Sequence, residues 1–237
     1  SLTAGGSSGG SAVALATGQI WLAHGSDHGG SLRGPGSHNS VVGMRPSPGR
    51  VTRGTVDALF SASSVEGPMA RDVPDLALFL DAIAGRDDRD PLSIHAPPRA
   101  YFETTMEALA KGADAAPKRI GFTTTFGGKV PVATAVKEQV AQAARRFEGL
   151  GTVVEEAYPD LGEIDEVFQI IRAQVFMINH ELAIAEHRDL VKPDIIWNTE
   201  KGLNQTPTQL AWAERARAAF YTRVLAYFDT YDLLLCP

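Results

Sequence analysis

The sequence predicts an α/β protein, a mixed central β-sheet flanked by helices. Three observations carry that class. Short apolar or β-branched runs alternate with longer segments of helical spacing from Ser11 to Leu235. A strand–helix–strand order over residues 119–156 implies a crossover connection and parallel pairing. Glycine-rich loops adjoin these runs where the chain must turn.

Taken in order, residues 11–17 are alanine-rich and follow glycines, which predicts a short buried helix with Gly18 near its end. Ile20, Trp21, Leu22 and Ala23 form an apolar run suited to a central strand that delivers the chain to a loop at Gly25. Leu76, Phe79, Leu80 and Ile83 fall at i, i+3, i+4 and i+7, with Pro74 in the first turn and Gly85 as a stop. Residues 86–117 are richer in charge and proline and read as a surface connection with a helical insert near residues 101–110. Residues 119–123 predict a strand. Val132, Val136, Val140, Ala144 and Phe147 mark a helix, and residues 152–156 a second strand. A long apolar stripe through Ile164, Val167, Phe168, Ile171, Val175, Ile178 and Leu182 predicts another helix. A further one starts at Thr206-Pro207, with Leu210, Ala213, Phe220 and Val224 on one face.

Size and charge bound the function. At 237 residues and 44% hydrophobic content the chain can bury a substantial core. A formal charge of −6 and a pI near 5.5 argue against a nucleic-acid or anionic-membrane surface. No apolar run approaches the roughly 20 residues a spanning helix needs. The single cysteine, Cys236, excludes an internal disulfide framework and fits a reducing compartment, so a cytoplasmic location is expected.

Two motifs carry chemistry. Gly5-Gly6-Ser7-Ser8-Gly9-Gly10 is followed, after the small-residue helix and the apolar run, by Gly25-Ser26-Asp27-His28-Gly29-Gly30-Ser31-Leu32-Arg33. Two serine-bearing glycine loops can place two hydroxyls side by side, with backbone N–H groups close to a reacting carbonyl. Other readings of these residues are weaker. Asp27, His28 and Ser31 as a catalytic triad would need an adjacent Asp–His pair to point its side chains together. His24 and His28 would suit a metal only on a helix. The G-x-S-x-G match at residues 6–10 lacks the apolar strand that a nucleophile elbow requires. Gly127-Gly128-Lys129 lacks the spacing of a phosphate loop.

These loops, with Val41-Val42-Gly43-Met44-Arg45-Pro46, Gly67-Pro68-Met69-Ala70-Arg71, Asp75, Asp81-Ala82-Ile83-Ala84-Gly85 and Asp90-Pro91, resemble the amidase signature family in order and spacing. Tyr231-Asp232-Leu233-Leu234-Leu235 is similar to that family's late core strand. The resemblance implies a partial amidase signature domain over residues 1–237, with residues 1–91 as the core bearing the serine loops and residues 92–237 as its α/β continuation. It implies hydrolysis of a carboxamide to carboxylate and ammonia or amine, with Ser31 as nucleophile and Ser7 relaying protons to a neutral lysine.

The resemblance also implies a cis peptide at Gly6–Ser7 and an oxyanion hole from the N–H groups of His28, Gly29, Gly30 and Ser31. Ser8 is read equally as a helix N-cap or as an auxiliary hydrogen-bonding group. Ser26 is placed to bond Ser7 or the lysine, and Asp27 and Arg33 to brace the loop. Lys111, Lys118, Lys129, Lys137, Lys192 and Lys201 all lie outside the family's lysine context. The chain is therefore expected to be an internal piece of a longer amidase, incomplete at both ends and inactive alone.

No cofactor and no metal are expected, the partner is a small-molecule amide, and a homodimer is left open. Two departures stand out: His38-Asn39-Ser40 replaces Phe-Cys-Gly, and Arg45 replaces a lysine. The pattern is more similar to the broad bacterial hydrolase branch than to the transamidating subunit used in tRNA charging, which is kept as the alternative.

Overall fold

The computed structural model describes residues 3–54 and 56–237. The class is α/β, and the strands fall into two three-stranded sheets, one antiparallel and one parallel. Two compact units carry them, residues 1–107 with 174–200 and residues 108–173 with 201–237.

In the first unit, α1 (Gly9–Ala16) turns into β1 (Leu22–Asp27), and α2 (Arg33–His38) leads to the short β2 (Val42–Gly43). β3 (Val65–Ala70) pairs antiparallel with both strands, so the order is β1-β3-β2 and β3 is central. The strand expected at residues 20–23 is thus shifted and lies at an edge. Trp21 is 78% exposed, and the strand instead runs through the polar stretch His24 to Asp27. β3 escapes sequence reading because Gly67 and Pro68 sit inside it. Pro68 is tolerated because its carbonyl accepts from Met44 N–H just beyond β2, so its missing donor falls where the ladder has ended.

The helix at α3 (Val73–Ile83) forms as its periodicity requires. Asp72 caps it by accepting from Asp75 N–H at 2.9 Å, with Pro74 in the first turn. α1 and α3 both pack on β1 and β3. Ala12 and Leu15 of α1 form one buried cluster with Ala23, Leu32 and Met69. Arg71 closes the α1–β1 turn, donating to the carbonyls of Leu15 (3.2 Å) and Ile20 (2.8 Å). Asp81 holds the start of α4 (Tyr101–Lys111), accepting from the Tyr101 and Phe102 amides at 2.7 and 2.9 Å.

In the second unit, β4 (Arg119–Phe122) lies between β5 (Val153–Glu156) and β6 (Leu233–Leu235), parallel to both. α5 (Thr134–Glu148) connects β4 to β5 and packs on β5, the parallel arrangement that the strand–helix–strand order predicts. α8 (Pro207–Phe228) begins with a capping box, Thr206 and Gln209 each bonding the other's backbone N–H. Tyr227 near its end is 8% exposed and donates to the Leu233 carbonyl at 3.3 Å. Asp232 accepts from the amides of Lys118 and Arg119, fixing where β6 begins beside β4.

Two helices remain. α6 (Ile164–His187) follows the expected stripe. α7 (Pro193–Leu203) is unforeseen, although it starts on a proline in the first turn.

Candidate active site

β1 ends at Asp27, and the chain turns through residues 28–32 into α2. Asp27 is fully buried. Its carboxylate accepts from Gly30 N–H (2.8 Å), Leu32 N–H (3.2 Å) and the Arg33 side chain at Nε (3.0 Å) and Nη2 (2.9 Å). Burial alone would raise the Asp27 pKa. The Arg33 hydrogen bonds and the Gly30 and Leu32 amides outweigh it and hold the carboxyl ionised well below the usual carboxylate range. The turn that presents Ser31 is therefore wound around one buried anion. Gly30 adopts φ +103, a conformation open to glycine and costly for other residues.

Next along the chain, Leu32 anchors the loop from below. Its side chain is fully buried in the α1–sheet cluster, while the adjacent Ser31 is half-buried. Nothing in the sequence marks Leu32 for this role, because a lone leucine in a glycine loop carries no periodic signal.

The other serine loop comes alongside. Ser8 N–H donates to the Ser31 carbonyl at 3.3 Å, joining the two loops main chain to main chain. The Gly6–Ser7 peptide is cis. Ser8 begins α1 without capping it by its side chain; its hydroxyl donates instead to the Ser26 carbonyl at 3.4 Å. Ser8 thus holds the N-cap position of α1 without a side-chain cap hydrogen bond. Ser26 meets Ser8 through its carbonyl, and no hydrogen bond joins Ser26 to Ser7 among the described residues. Ser7 is exposed, and its hydroxyl and that of Ser31 share no hydrogen bond among the described residues.

The four amides expected to face an oxyanion are not equivalent. Gly30 N–H is committed to Asp27 and shapes the turn. The Gly29 and Ser31 amides have no acceptor among the described residues, and His28 lies half-buried between Asp27 and Gly29. The Asp27 carboxylate is engaged with amides and arginines, which leaves the triad reading without its orienting acid. His24 pairs with Glu66 across the strands at 3.4 Å, and no group of three metal-ligating side chains occurs among the described residues.

Two departures from the family pattern turn out to brace the site. His38 Nδ1 lies 3.3 Å from the Thr3 carbonyl, and Asn39 Nδ2 donates to the Ala4 and Pro35 carbonyls, each at 2.8 Å. They hold the approach to the first serine loop against α2. Arg45, just past β2, donates to the Asp27 backbone carbonyl and lies 3.2 Å from Asp27 Oδ1.

Residues 1–237 match the Amidase family. The chain belongs to that family. It is 42% identical over 154 residues to the A-type subunit of the glutamyl-tRNA(Gln) amidotransferase of Lactiplantibacillus plantarum, covering 64% of this chain and 30% of that protein. The corresponding Streptococcus agalactiae protein matches at 42% over 153 residues, again 64% of this chain and 30% of that protein.

Among solved structures, a bacterial aryl acylamidase of the amidase signature enzymes superposes at TM-score 0.86 with 29% identity, covering 100% of this chain and 49% of that one. The peptide amidase of Stenotrophomonas maltophilia superposes at 0.63 with 31% identity, covering 90% of this chain and 44% of that one. The amidase-family chain thus spans under a third of these curated relatives and about half of these solved ones. No helix among the described residues is long and apolar enough to cross a membrane.

Proposed function

We propose that the protein hydrolyses a carboxamide through an acyl-enzyme on Ser31. The supporting observation is the Ser8 N–H to Ser31 carbonyl bond at 3.3 Å, which sets the cis Gly6–Ser7 turn beside the turn that carries Ser31.

In this reading Ser31 Oγ attacks the carboxamide carbon while its proton passes to Ser7 and on to a neutral lysine supplied from outside residues 1–237. Hydroxyls that pass protons often draw together only when substrate is bound. The negative charge developing on the carbonyl oxygen is met by the Gly29 and Ser31 amides, with His28 in the same turn; losing one such donor typically costs about 2.7–4 kcal/mol. Collapse breaks the C–N bond, the proton goes to the leaving ammonia or amine, and water then releases the carboxylate from Ser31. Residues 1–91 act as the signature core and residues 92–237 as its continuation. The lone cysteine supports a cytoplasmic setting.

A fluorophosphonate probe with peptide mapping tests the reading on the full-length protein. Label on Ser31, lost in Ser31→Ala, is expected; label on Ser8 instead would speak for the elbow motif. Because the lysine must be neutral to accept a proton, the rate of amide cleavage should climb between pH 6 and 9. A flat profile counts against the relay.

The second reading, the A-type component of a transamidating complex, is favoured by the 42% identity to such proteins. Amide hydrolysis by the purified protein without a partner separates the two.

A further inference from the structure

The geometry points to Arg45 as a positioning residue for the Ser31 turn, acting through Asp27 and tying that turn to residues 61–63. Its side chain is 24% exposed. One guanidinium nitrogen, Nη1, serves the Asp27 main-chain carbonyl and its carboxylate together. The other, Nη2, donates to the Ser63 carbonyl at 3.1 Å. Ser63 leads into β3 at Val65, which stands opposite Asp27 in the sheet, and the Ser61 and Ser63 hydroxyls lie 2.7 Å apart. A single planar group therefore spans the space between the segment entering β3 and the turn leaving β1.

Arg33 holds Asp27 differently. Its guanidinium meets the carboxylate oxygens, which fixes the side chain and not the peptide that starts the turn. Arg45 reaches the Asp27 carbonyl as well. A lysine is a compact point charge on a flexible stem, without the rigid fork that meets acceptors on two separate segments at once. Through Asp27, whose carboxylate holds the Gly30 and Leu32 amides, the placement of the Arg45 fork passes to the residues on either side of Ser31.

The consequence for Ser31 reactivity rests on the hydrolase reading; the consequence for the turn does not. The test compares Arg45→Met and Arg45→Lys with the wild type in the full-length protein. Hydrogen exchange is followed at the Gly30 and Leu32 amides, and fluorophosphonate labelling of Ser31 is resolved into affinity and maximal rate.

In Arg45→Met, exchange at the two amides should rise about tenfold or more while α3 amides stay protected. The maximal labelling rate should fall about tenfold with probe affinity little changed. Arg45→Lys should lie between, restoring part of the labelling. Unchanged exchange at Gly30 and Leu32 overturns the assignment, whatever the labelling does. If Arg45→Met does not fold, the lysine variant decides on the same criterion. Raised exchange with no labelling even in wild type leaves Arg45 as assigned and sinks the hydrolase reading instead.

Discussion

Gly25 faces Gly67 across β1 and β3, and the Leu32 side chain occupies the room left by their missing Cβ atoms. A Cβ on Gly25 would stand 2.9 Å from Leu32 Cδ2, and one on Gly67 would stand 2.8 Å from Leu32 Cδ1 and 2.5 Å from the Met44 carbonyl oxygen. The residue next to the proposed nucleophile is seated in a slot that only a glycine pair leaves open.

Gly67→Ala is therefore expected to do double damage. The Met44 carbonyl is main chain and cannot swing away, so the backbone of β3 must shift against it, and the Leu32 side chain must give way as well. Overpacking of this kind costs about 1–3 kcal/mol. Urea melts should show that loss, and Ser31 labelling should drop further than the lost stability explains.

Asp27→Asn removes the anion around which the turn is built. Breaking a buried ion pair costs about 3–5 kcal/mol when both partners are buried, and the half-exposed Arg33 (55%) places the expected loss at about 2–3 kcal/mol. The pH dependence has a definite sign. The Asp27 carboxyl is held well below its ordinary 3.8, so its contribution is present above about pH 4 and is lost as the solution is acidified further. Thermal melts from pH 7 to 2.5 should fall steeply below pH 4 in the wild type and less steeply in the variant.

At the alkaline end, Tyr227 supplies the opposite dependence. Burial, followed by the neighbouring Tyr231, pushes its hydroxyl up to about 12. The unfolded chain ionises near 10, so the folded state loses stability as pH rises from 10 toward 12. Tyr227→Phe should flatten that decline. At neutral pH it should cost about 0.5–1.5 kcal/mol for the hydrogen bond to the Leu233 carbonyl. Melts at pH 7 and pH 11 check both parts; equal slopes in the two proteins would rule out Tyr227 as the source.

Ser40 sits at φ +55, the left-handed region, where the family motif that the sequence resembles has glycine. Ser40→Gly should stabilise by about 0.5–1 kcal/mol, raising Tm by roughly 1–4 °C for a chain of this size. A lower Tm in calorimetry would show that the serine is favoured there.

Much of the fold can be read in advance wherever one segment carries its own evidence. α3, α5, α6 and α8 announce themselves through period, α3 and α8 also through their first-turn signals, and β4 and β5 through short apolar runs on either side of a helix. β1 and β3 do not. Their residues include Gly25, Gly67 and Pro68, chosen for close approach and not for strand preference, and the apolar residues at 20 and 21 mislead because Trp21 faces solvent.

The site divides the same way. Ser7, Ser31 and Asp27 stand out because their neighbours are unusual. Arg45 and Asn39 do their bracing against backbone carbonyls, which look alike in every sequence, so the partner is invisible until the chain is folded.

The clasp of Asp232 on the Lys118 and Arg119 amides joins positions separated by 114 and 113 residues. On the ribosome, β4 emerges long before the strand that will cover its flank, and during that interval its unpaired N–H and C=O groups face outward as a template for any other extended chain. Biosynthesis of this protein thus carries a window of vulnerability to aggregation at this flank of β4 that closes only when β6 arrives. Slowing translation between α5 and β6 should lengthen it.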